Sequence, residues 1–584
     1  MHVVATAGHV DHGKSALVTA LTGAQPDRLE EEQRRGLSIE LGYAWTTLPG
    51  AGEVAFVDVP GHERFISTTL AGLGPVPAVL FVVAADDPWM PQAAEHLAAL
   101  DALGVEHAVL AVTRADLADP APARERALAE IAATSLRGAP AVTVSARTGE
   151  GLEELRAAVA AMLAGLPRPP AQEPVRLWVD RSFSMPGAGT VVTGTLPAGR
   201  VRPGDGLSSS GSGHRVRAVQ SLGRPVEEVQ GPARVALNVS GRVERGEVLV
   251  SPGAWHYTEL LDVRLGEVRL GTGEPPQRPL LHLGSTVLGV HHRPLGPGLA
   301  RLTTERPLPL RVGDRALLRD PGTRRLWAVT VLDPAPPPLR RRGAARLRAE
   351  SLATAHGEPD VAAEVARRGA VETELLARIG VPVGTVPAGV VAAGGWLISA
   401  ERAGAAARAA VEVVAQHAAV APLEPPLTVA ALAERLGLPT AELAAAVVGE
   451  PLRVEAGRVR RAGEDGVPAD VRAAVAALHE RLAGSPFAAP ATDDLPSLGL
   501  VPKVQGAAVR AGLLLCPAPG VVLLAGADDA AAERLAALPQ PFTVSDARRH
   551  LATSRRVVLP LLAHLDRTGR TRRLPDDRRR VTGH

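Results

Sequence analysis

The stretch Gly8-His-Val-Asp-His-Gly-Lys-Ser15 decides the fold of the first 165 or so residues. It fits the pattern G-x-x-x-x-G-K-[S/T] and follows directly on the apolar run His2–Ala7. A strand is therefore expected to enter a phosphate-cradling loop that opens a helix. The glycines let backbone N–H groups turn inward around phosphate oxygens beside a helix N-terminus. Lys14 is then placed to reach the β- and γ-phosphates, and Ser15 to offer its hydroxyl to Mg2+. Lysine occurs at only two positions, Lys14 and Lys503, with arginine as the basic residue everywhere else. It is retained where a compact charge on a flexible stem is hardest to replace by a planar guanidinium. Gly8, His9, Val10, Asp11, His12, Gly13, Lys14 and Ser15 are accordingly candidate nucleotide-binding residues.

Working outward, the runs Val54–Val57, Val79–Ala84, Ala108–Val112 and Ala141–Val144 are short and apolar throughout, as strands covered on both faces should be. Helix-like stretches separate them, which predicts a doubly wound parallel sheet. Further motifs fall where such sheets bind ligands, at strand C-terminal ends. Asp58-Val-Pro-Gly-His62 is expected to end the second strand. There Asp58 would hold Mg2+ through water, the Gly61 N–H would meet the γ-phosphate, and His62 would orient the attacking water as the catalytic residue. Ser38, in Arg35-Gly-Leu-Ser-Ile39, offers a hydroxyl that could reach Mg2+ only while the γ-phosphate is present. Thr113-Arg114-Ala-Asp116 is expected to end the fourth strand, and Ser145-Ala146 the fifth. A carboxylate at Asp116 can accept hydrogen bonds from guanine N1–H and N2–H2, donors that adenine lacks. The expected ligands are GTP or GDP with Mg2+, the metal held by Ser15, Ser38 and Asp58.

At about 150 residues each, the 584-residue chain has room for roughly four domains. Residues 1–168 form the nucleotide-binding unit, and Pro167-Arg-Pro-Pro170 reads as a linker. From 172 to 333 short strands recur between Gly/Pro turns, which predicts two β-barrels, at 172–255 and 256–333. Beyond the Pro-rich, basic stretch Pro334–Arg342 the chain turns helical and weakly repetitive. Leu427-Thr-Val429 with Leu436-Gly437 resembles Phe542-Thr-Val544 with Leu551-Ala552, and Leu375–Gly380 is a fainter third copy. With strand-like ends at Trp396–Ile398, Arg458–Arg460 and Val521–Leu524, this predicts a tandem array of winged helices at 340–400, 401–463, 464–527 and 528–584. The fold class is therefore multidomain α/β and β: a P-loop doubly wound sheet, two barrels, then winged helices.

A single cysteine, Cys516, excludes an internal disulfide, and no apolar stretch is long enough to span a bilayer. A soluble, cytoplasmic monomer is expected. Eleven arginines against four aspartates give residues 536–584 a net charge of +7, on a chain whose total is +2. That asymmetry points to a local polyanion site. Arg548, Arg549, Arg555, Arg556, Arg572 and Arg573 are the RNA-binding candidates.

These motifs together resemble the translational GTPases of the elongation factor Tu class. The barrel stretch Arg181-Ser-Phe-Ser-Met-Pro-Gly-Ala-Gly-Thr-Val-Val-Thr-Gly194 is similar to that class's second domain. Within the class, four features resemble the bacterial selenocysteine-specific elongation factors, the SelB family. They are Arg35-Gly-Leu-Ser-Ile-Glu-Leu-Gly-Tyr43, Val179-Asp-Arg181, the appended winged helices, and the segment from Pro541-Phe-Thr-Val544 to Arg572-Arg573. The resemblance implies a GTPase that delivers selenocysteyl-tRNA to the ribosome at UGA codons marked by an mRNA hairpin. It also implies that Asp180, Arg181 and Arg234 line the aminoacyl pocket, and that Val10 and Leu37 form a hydrophobic gate before His62. A selenol is more acidic than a thiol, so two arginines would favour the selenolate over the neutral serine of the precursor tRNA. Three positions depart from the usual pattern of the class: Ser38 for Thr, Thr113 for Asn (a change shared with SelB-type proteins), and Arg114 for Lys. Two other readings remain: a general aminoacyl-tRNA factor, which the long helical extension disfavours, and a nucleotide-switched DNA-binding regulator, which the barrels disfavour.

Overall fold

The computed structural model describes every residue except 27–37, 88, 186–188, 268–272, 324, 464–466 and 583–584. By internal contacts it divides into one compact body, Met1–Arg367 with Glu372–Thr385, and a second, Arg368–Val371 with Val386–His584.

The first body begins with a six-stranded sheet: β1 (His2–Ala7), β2 (Gly42–Leu48), β3 (Gly52–Asp58), β4 (Ala78–Ala84), β5 (His107–Thr113) and β6 (Ala141–Thr143), in the order β2-β3-β1-β4-β5-β6. β1 and β4 are buried at every residue, as expected for apolar runs covered on both faces. Helices α1 (Lys14–Thr22), α2 (Ile66–Leu73), α3 (Pro91–Leu103), α4 (Ala121–Ile131) and α5 (Leu152–Ala164) alternate with the strands. Two cores form as a result. One joins Val3, Ala55, Phe81 and Leu110 to α3 and α4; the other joins Val4, Phe56, Leu80 and Val109 to α1 and α5.

The sheet is not wholly parallel. β2 pairs antiparallel with β3 along its whole length, Gly42 opposite Asp58 and Leu48 opposite Gly52. This strand escapes a reading by apolar runs because it is an edge strand with alternating burial. One consequence is a shift of count: Asp58 ends the third strand, the Thr113 motif follows the fifth and Ser145 the sixth.

Two β structures follow. The first is an eight-stranded sheet of antiparallel pairs running from Arg176–Trp178 to Arg181–Met185. It curls around its own core of Val192, Leu207, Val235 and Leu249. The second, residues 256–333, is a closed six-stranded barrel, sealed by pairing of His256–Glu267 with Leu326–Asp333.

Helix α6 (Ala344–Leu352) is expected to open the first winged helix, but its Leu352 packs against Leu295, Leu299 and Leu332 of the closed barrel. Arg264 of the barrel also donates to the carbonyls of Leu352, Ala353 and Ala355, which satisfies the helix C-terminus. The first body therefore runs past 340, to Arg367 and again over Glu372–Thr385.

The second body contains three successive units of helices closed by a two-stranded hairpin. The hairpins pair Leu452–Glu455 with Arg458–Arg461, Leu514–Ala518 with Val521–Leu524, and Thr571–Arg573 with Arg579–Val581. The sequence repeat has a structural meaning here. Thr428 and Thr543 each N-cap a helix, accepting from the N–H of Ala431 and of Asp546. At the equivalent helix ends Gly437 and Ala552 both take a left-handed backbone conformation. No helix among the described residues is long and apolar enough to cross a membrane.

Candidate functional site

The loop after β1 is shaped by its glycines. Gly8 has φ +132°, and a Cβ there would sit 2.1 Å from the Val82 carbonyl oxygen. Gly13, at φ +80°, leads into α1. Between them the Lys14 ammonium donates to the carbonyls of Gly8 (3.2 Å) and His9 (2.7 Å), on the inner side of the loop. Gly61 lies against this charge: a Cβ at residue 61 would be 2.4 Å from Lys14 Nζ and 2.5 Å from the Val10 nitrogen. The Asp58–His62 loop thus meets the phosphate loop backbone to backbone, an approach only glycine permits.

Ser15 donates to Asp58 Oδ2 at 2.6 Å, and its oxygen is 3.1 Å from that of Ser38. Thr6 donates to Asp58 Oδ1 at 2.6 Å and fixes the carboxylate from beneath. The three residues expected to hold a metal are therefore brought together. His62 is half-buried, and its Nδ1 accepts from the Arg64 N–H at 3.2 Å, so a proton on the neutral ring resides on Nε2. Of the expected gate, Val10 lines the cleft, whereas Leu37 falls outside the described residues.

These elements open onto a cleft of about 830 Å³ whose walls include Val10, Gly13, Lys14, Ser15, Ser38, Gly61, Thr113, Arg114, Asp116 and Ala146. Thr113 donates to the His12 carbonyl at 2.7 Å, tying the base-reading segment to the phosphate loop. Ser145 donates to Asp116 Oδ1 at 2.5 Å, and Arg147 donates to Oδ2 at 2.8 Å. Those two partners hold the Asp116 carboxyl below the usual carboxylate range, the Ser145 hydroxyl contributing most. Arg147 is a cleft residue that the motif reading missed; it directly follows the recognised Ser145-Ala146 pair.

Histidines pack beneath the loop. His96 of α3 is buried, and its Nδ1 accepts the Gly8 N–H at 3.0 Å. Burial, then the Lys14 charge, pushes its pKa down to about 3, so it stays neutral and able to accept. Burial likewise pushes His12 down to about 4. His96 could not be singled out from sequence, where it is one apolar-facing position in a helix.

A second cluster lies where the sheet meets the first β structure. Arg234 pairs with both oxygens of Asp180, one contact measuring 2.7 Å, and Thr193 donates to Asp180 at 2.7 Å. The Arg234 guanidinium lies 3.9 Å from the centre of the Tyr43 ring, and that of Arg181 lies 5.0 Å from it. Arg181 also faces Glu40 at 3.2 Å and donates to the Leu41 carbonyl. The three expected pocket residues are thus brought together around Tyr43, an aromatic on β2. Burial raises the Tyr43 phenol well above its ordinary value. Both arginines already have carboxylate partners, so any anion bound here must share or displace them.

The candidate RNA-binding arginines separate into kinds. Arg548, Arg555 and Arg572 are exposed. Arg549 pairs with Asp546, and Arg573 with Asp577. Arg556 instead donates to the carbonyls of Gly520, Ala489 and Pro490 in the preceding unit, so it acts as a clamp between two units. Arg580, opposite Arg572 on the terminal hairpin, is exposed and was not singled out from sequence.

Comparison with known proteins places two parts of the chain in known families. Residues 1–164 match the family model of the elongation factor Tu GTP binding domain. Over 332 residues the chain is 32% identical to translation initiation factor 2 subunit gamma of Halobacterium salinarum, covering 80% of that protein and 46% of this chain. The chain belongs to the elongation factor Tu class of translational GTPases, and the cleft lies within the matched GTP binding domain. Within that class, residues 533–580 match the family model of the elongation factor SelB winged helix. The chain is 38% identical over 343 residues to the selenocysteine-specific elongation factor of Desulfomicrobium baculatum, and 37% over 384 residues to that of Escherichia coli. It spans 53% and 61% of those two proteins, which cover 54% and 63% of this chain. The crystal structure of a bacterial selenocysteine-specific elongation factor, EF-Sec, shares the fold, with TM-score 0.76, 24% identity and full coverage of both chains.

Proposed function

We propose that this chain hydrolyses GTP as a translation elongation factor, carrying selenocysteyl-tRNA to the ribosome at UGA codons marked by an mRNA hairpin. The observation that carries the reading is the convergence of Asp180, Arg181 and Arg234 on Tyr43, beside the segment that brings Ser38 to the nucleotide cleft. Two guanidinium groups against an aromatic face, each exchanging its carboxylate partner (Asp180 or Glu40) for the ligand, suit a selenolate better than a neutral hydroxyl.

The all-oxygen set of Ser15, Ser38 and Asp58 fits Mg2+, which when bound would offset charge on the phosphate oxygens. Lys14 and the backbone N–H groups of the loop beyond Gly8, whose own N–H goes to His96, would hold the phosphates. Asp116 would accept from the guanine N1–H and N2–H2, with Ser145 and Ala146 beside the O6. His62 Nε2 would orient the water that attacks the γ-phosphorus; the bond to the β-γ bridging oxygen breaks, and GDP and phosphate leave. Ser38 would lose its partner with the γ-phosphate, so the segment leading to Tyr43 would relax and the tRNA would be released. The exposed arginines of the last unit support hairpin RNA as the partner of the C-terminal end.

The test is binding of GTP-loaded protein to selenocysteyl-tRNA and seryl-tRNA. A strong preference for selenocysteyl-tRNA is expected, lost in Arg181→Ala while GTP binding is spared. Equal binding of both tRNAs overturns the substrate assignment. In gel-shift competition an mRNA hairpin should displace the probe at lower concentration than duplex DNA; preference for the duplex overturns the RNA assignment.

A further inference from the structure

Two carboxylates in the loop after β4, Asp86 and Asp87, take no part in the roles assigned above. Each faces a different loop of the nucleotide cleft. Asp86 receives Arg114 NH1 on both oxygens, at 3.2 and 3.1 Å. The other amino group of the same guanidinium donates to the Asp11 carbonyl in the phosphate loop. Asp87 Oδ2 lies 3.3 Å from His12 Nε2, one residue further along that loop. Three loops, after β1, β4 and β5, are therefore joined through one guanidinium and one carboxylate pair.

The backbone makes this junction sensitive. Asp11 and Arg114 both hold left-handed conformations, φ 65° and 57°. Non-glycine residues persist there only when the surroundings fix them. Arg114 lines the cleft next to Asp116, with Leu117 on the same wall, so its aliphatic stem is at hand to cover a base. A guanidinium anchored at one point can rotate and take the stem with it. Anchored at Asp11 and at Asp86, its plane and the course of the stem are both set. The Arg114 and Asp86 side chains are 35% and 28% exposed, so the pair adds little to global stability. Its consequence is orientation.

We propose that Asp86 is a positioning residue for guanine-nucleotide affinity, acting through Arg114 to hold the stem of that arginine over the base. The proposal rests on reading the cleft as a guanine-nucleotide site. Asp86→Ala should bind GDP about tenfold more weakly than the parent chain, with an unchanged thermal midpoint. Inorganic tripolyphosphate fills the phosphate loop but has no base, and it should compete for the site equally well in both proteins.

A double-mutant cycle supplies the second measurement. In Arg114→Lys the compact ammonium needs only the Asp11 carbonyl, so adding Asp86→Ala should change GDP affinity by less than twofold. Independent, multiplying losses in the double variant would overturn the proposal. So would GDP affinity in Asp86→Ala within twofold of the parent, or an equal loss for tripolyphosphate, which would make Asp86 a support of the phosphate loop alone. Failure of the parent chain to bind GDP would instead overturn the reading of the cleft itself.

Discussion

Arg348 of α6 donates through Nε to Asp262 of the closed barrel at 2.7 Å and through a second nitrogen to Asp333, with all three side chains buried. Arg301 completes the group by donating to both oxygens of Asp262, at 2.6 and 2.9 Å. Removing one member of such a network leaves buried charge uncompensated. Arg348→Ala should cost about 3 kcal/mol or more and lower the thermal midpoint of the first body by several degrees, measured by calorimetry. A midpoint within a degree of the parent would show that the network is not a net stabiliser of α6 on the barrel.

Lys14 and Ser15, the residue that donates to Asp58, line one cleft. Lys14→Ala removes the only lysine of the first body and should weaken GDP and GTP alike by about a hundredfold or more, as expected for a buried charge-assisted contact to phosphate. Asp58→Asn keeps the shape and removes the charge that orders Ser15. Its loss of affinity should shrink when Mg2+ is withheld from both proteins. Equal losses with and without Mg2+ in a fluorescent-nucleotide titration would separate Asp58 from the metal.

The buried neutral histidines should make the fold acid-labile. His96 and His282 have pKa values pushed from 6.5 down to about 3 and about 4, in both cases mainly by burial. The unfolded chain binds protons at these positions below about pH 6.5 and the folded chain does not, so stability is full above that pH and declines as pH falls toward 4. Among the described residues, neither ring nitrogen of His282 has a hydrogen-bond partner. His282→Leu should therefore be neutral or stabilising at pH 7 and should recover roughly 2–3 kcal/mol near pH 4. Urea midpoints at the two pH values check this; an unchanged pH slope in the variant would refute it.

The terminal arginines should divide by function. Arg572→Ala with Arg580→Ala removes two exposed charges from one hairpin. The pair should weaken binding to an mRNA hairpin and reduce the salt slope of log K by roughly one to two units. Arg556→Ala removes three carbonyl contacts between units. It should lower the thermal midpoint of the second body first, with affinity following only as folding is lost. A salt slope untouched by the double variant would move the RNA contact elsewhere.

Asp180→Ala leaves Arg234 buried against Tyr43 without its carboxylate. The expected result is a destabilised chain, by about 2 kcal/mol or more, with weakened discrimination between selenocysteyl- and seryl-tRNA. Retained discrimination would assign Asp180 a purely structural duty.

Most of the candidate nucleotide cleft was legible in the sequence. Gly8, Gly13, Lys14, Ser15, Asp58, Gly61 and Asp116 are read from spacing because phosphate, metal and base each demand particular groups at strand ends, and local chain geometry delivers them. The repeat of the C-terminal units was legible too, because its Thr positions serve a local interaction, the N-cap that the structure shows. Three things needed the tertiary structure. The edge strand β2 and its Tyr43 become meaningful only when Arg181 and Arg234, far along the chain, arrive over that ring. Helix α6 has the composition of a winged-helix segment, yet Arg348 binds it to the barrel through charges on two distant strands. His96, Asp86 and Arg147 are ordinary helix and loop residues in the sequence. Their contacts with Gly8, Arg114 and Asp116 exist only because the sheet brings the ends of β1, β4, β5 and β6 to one edge.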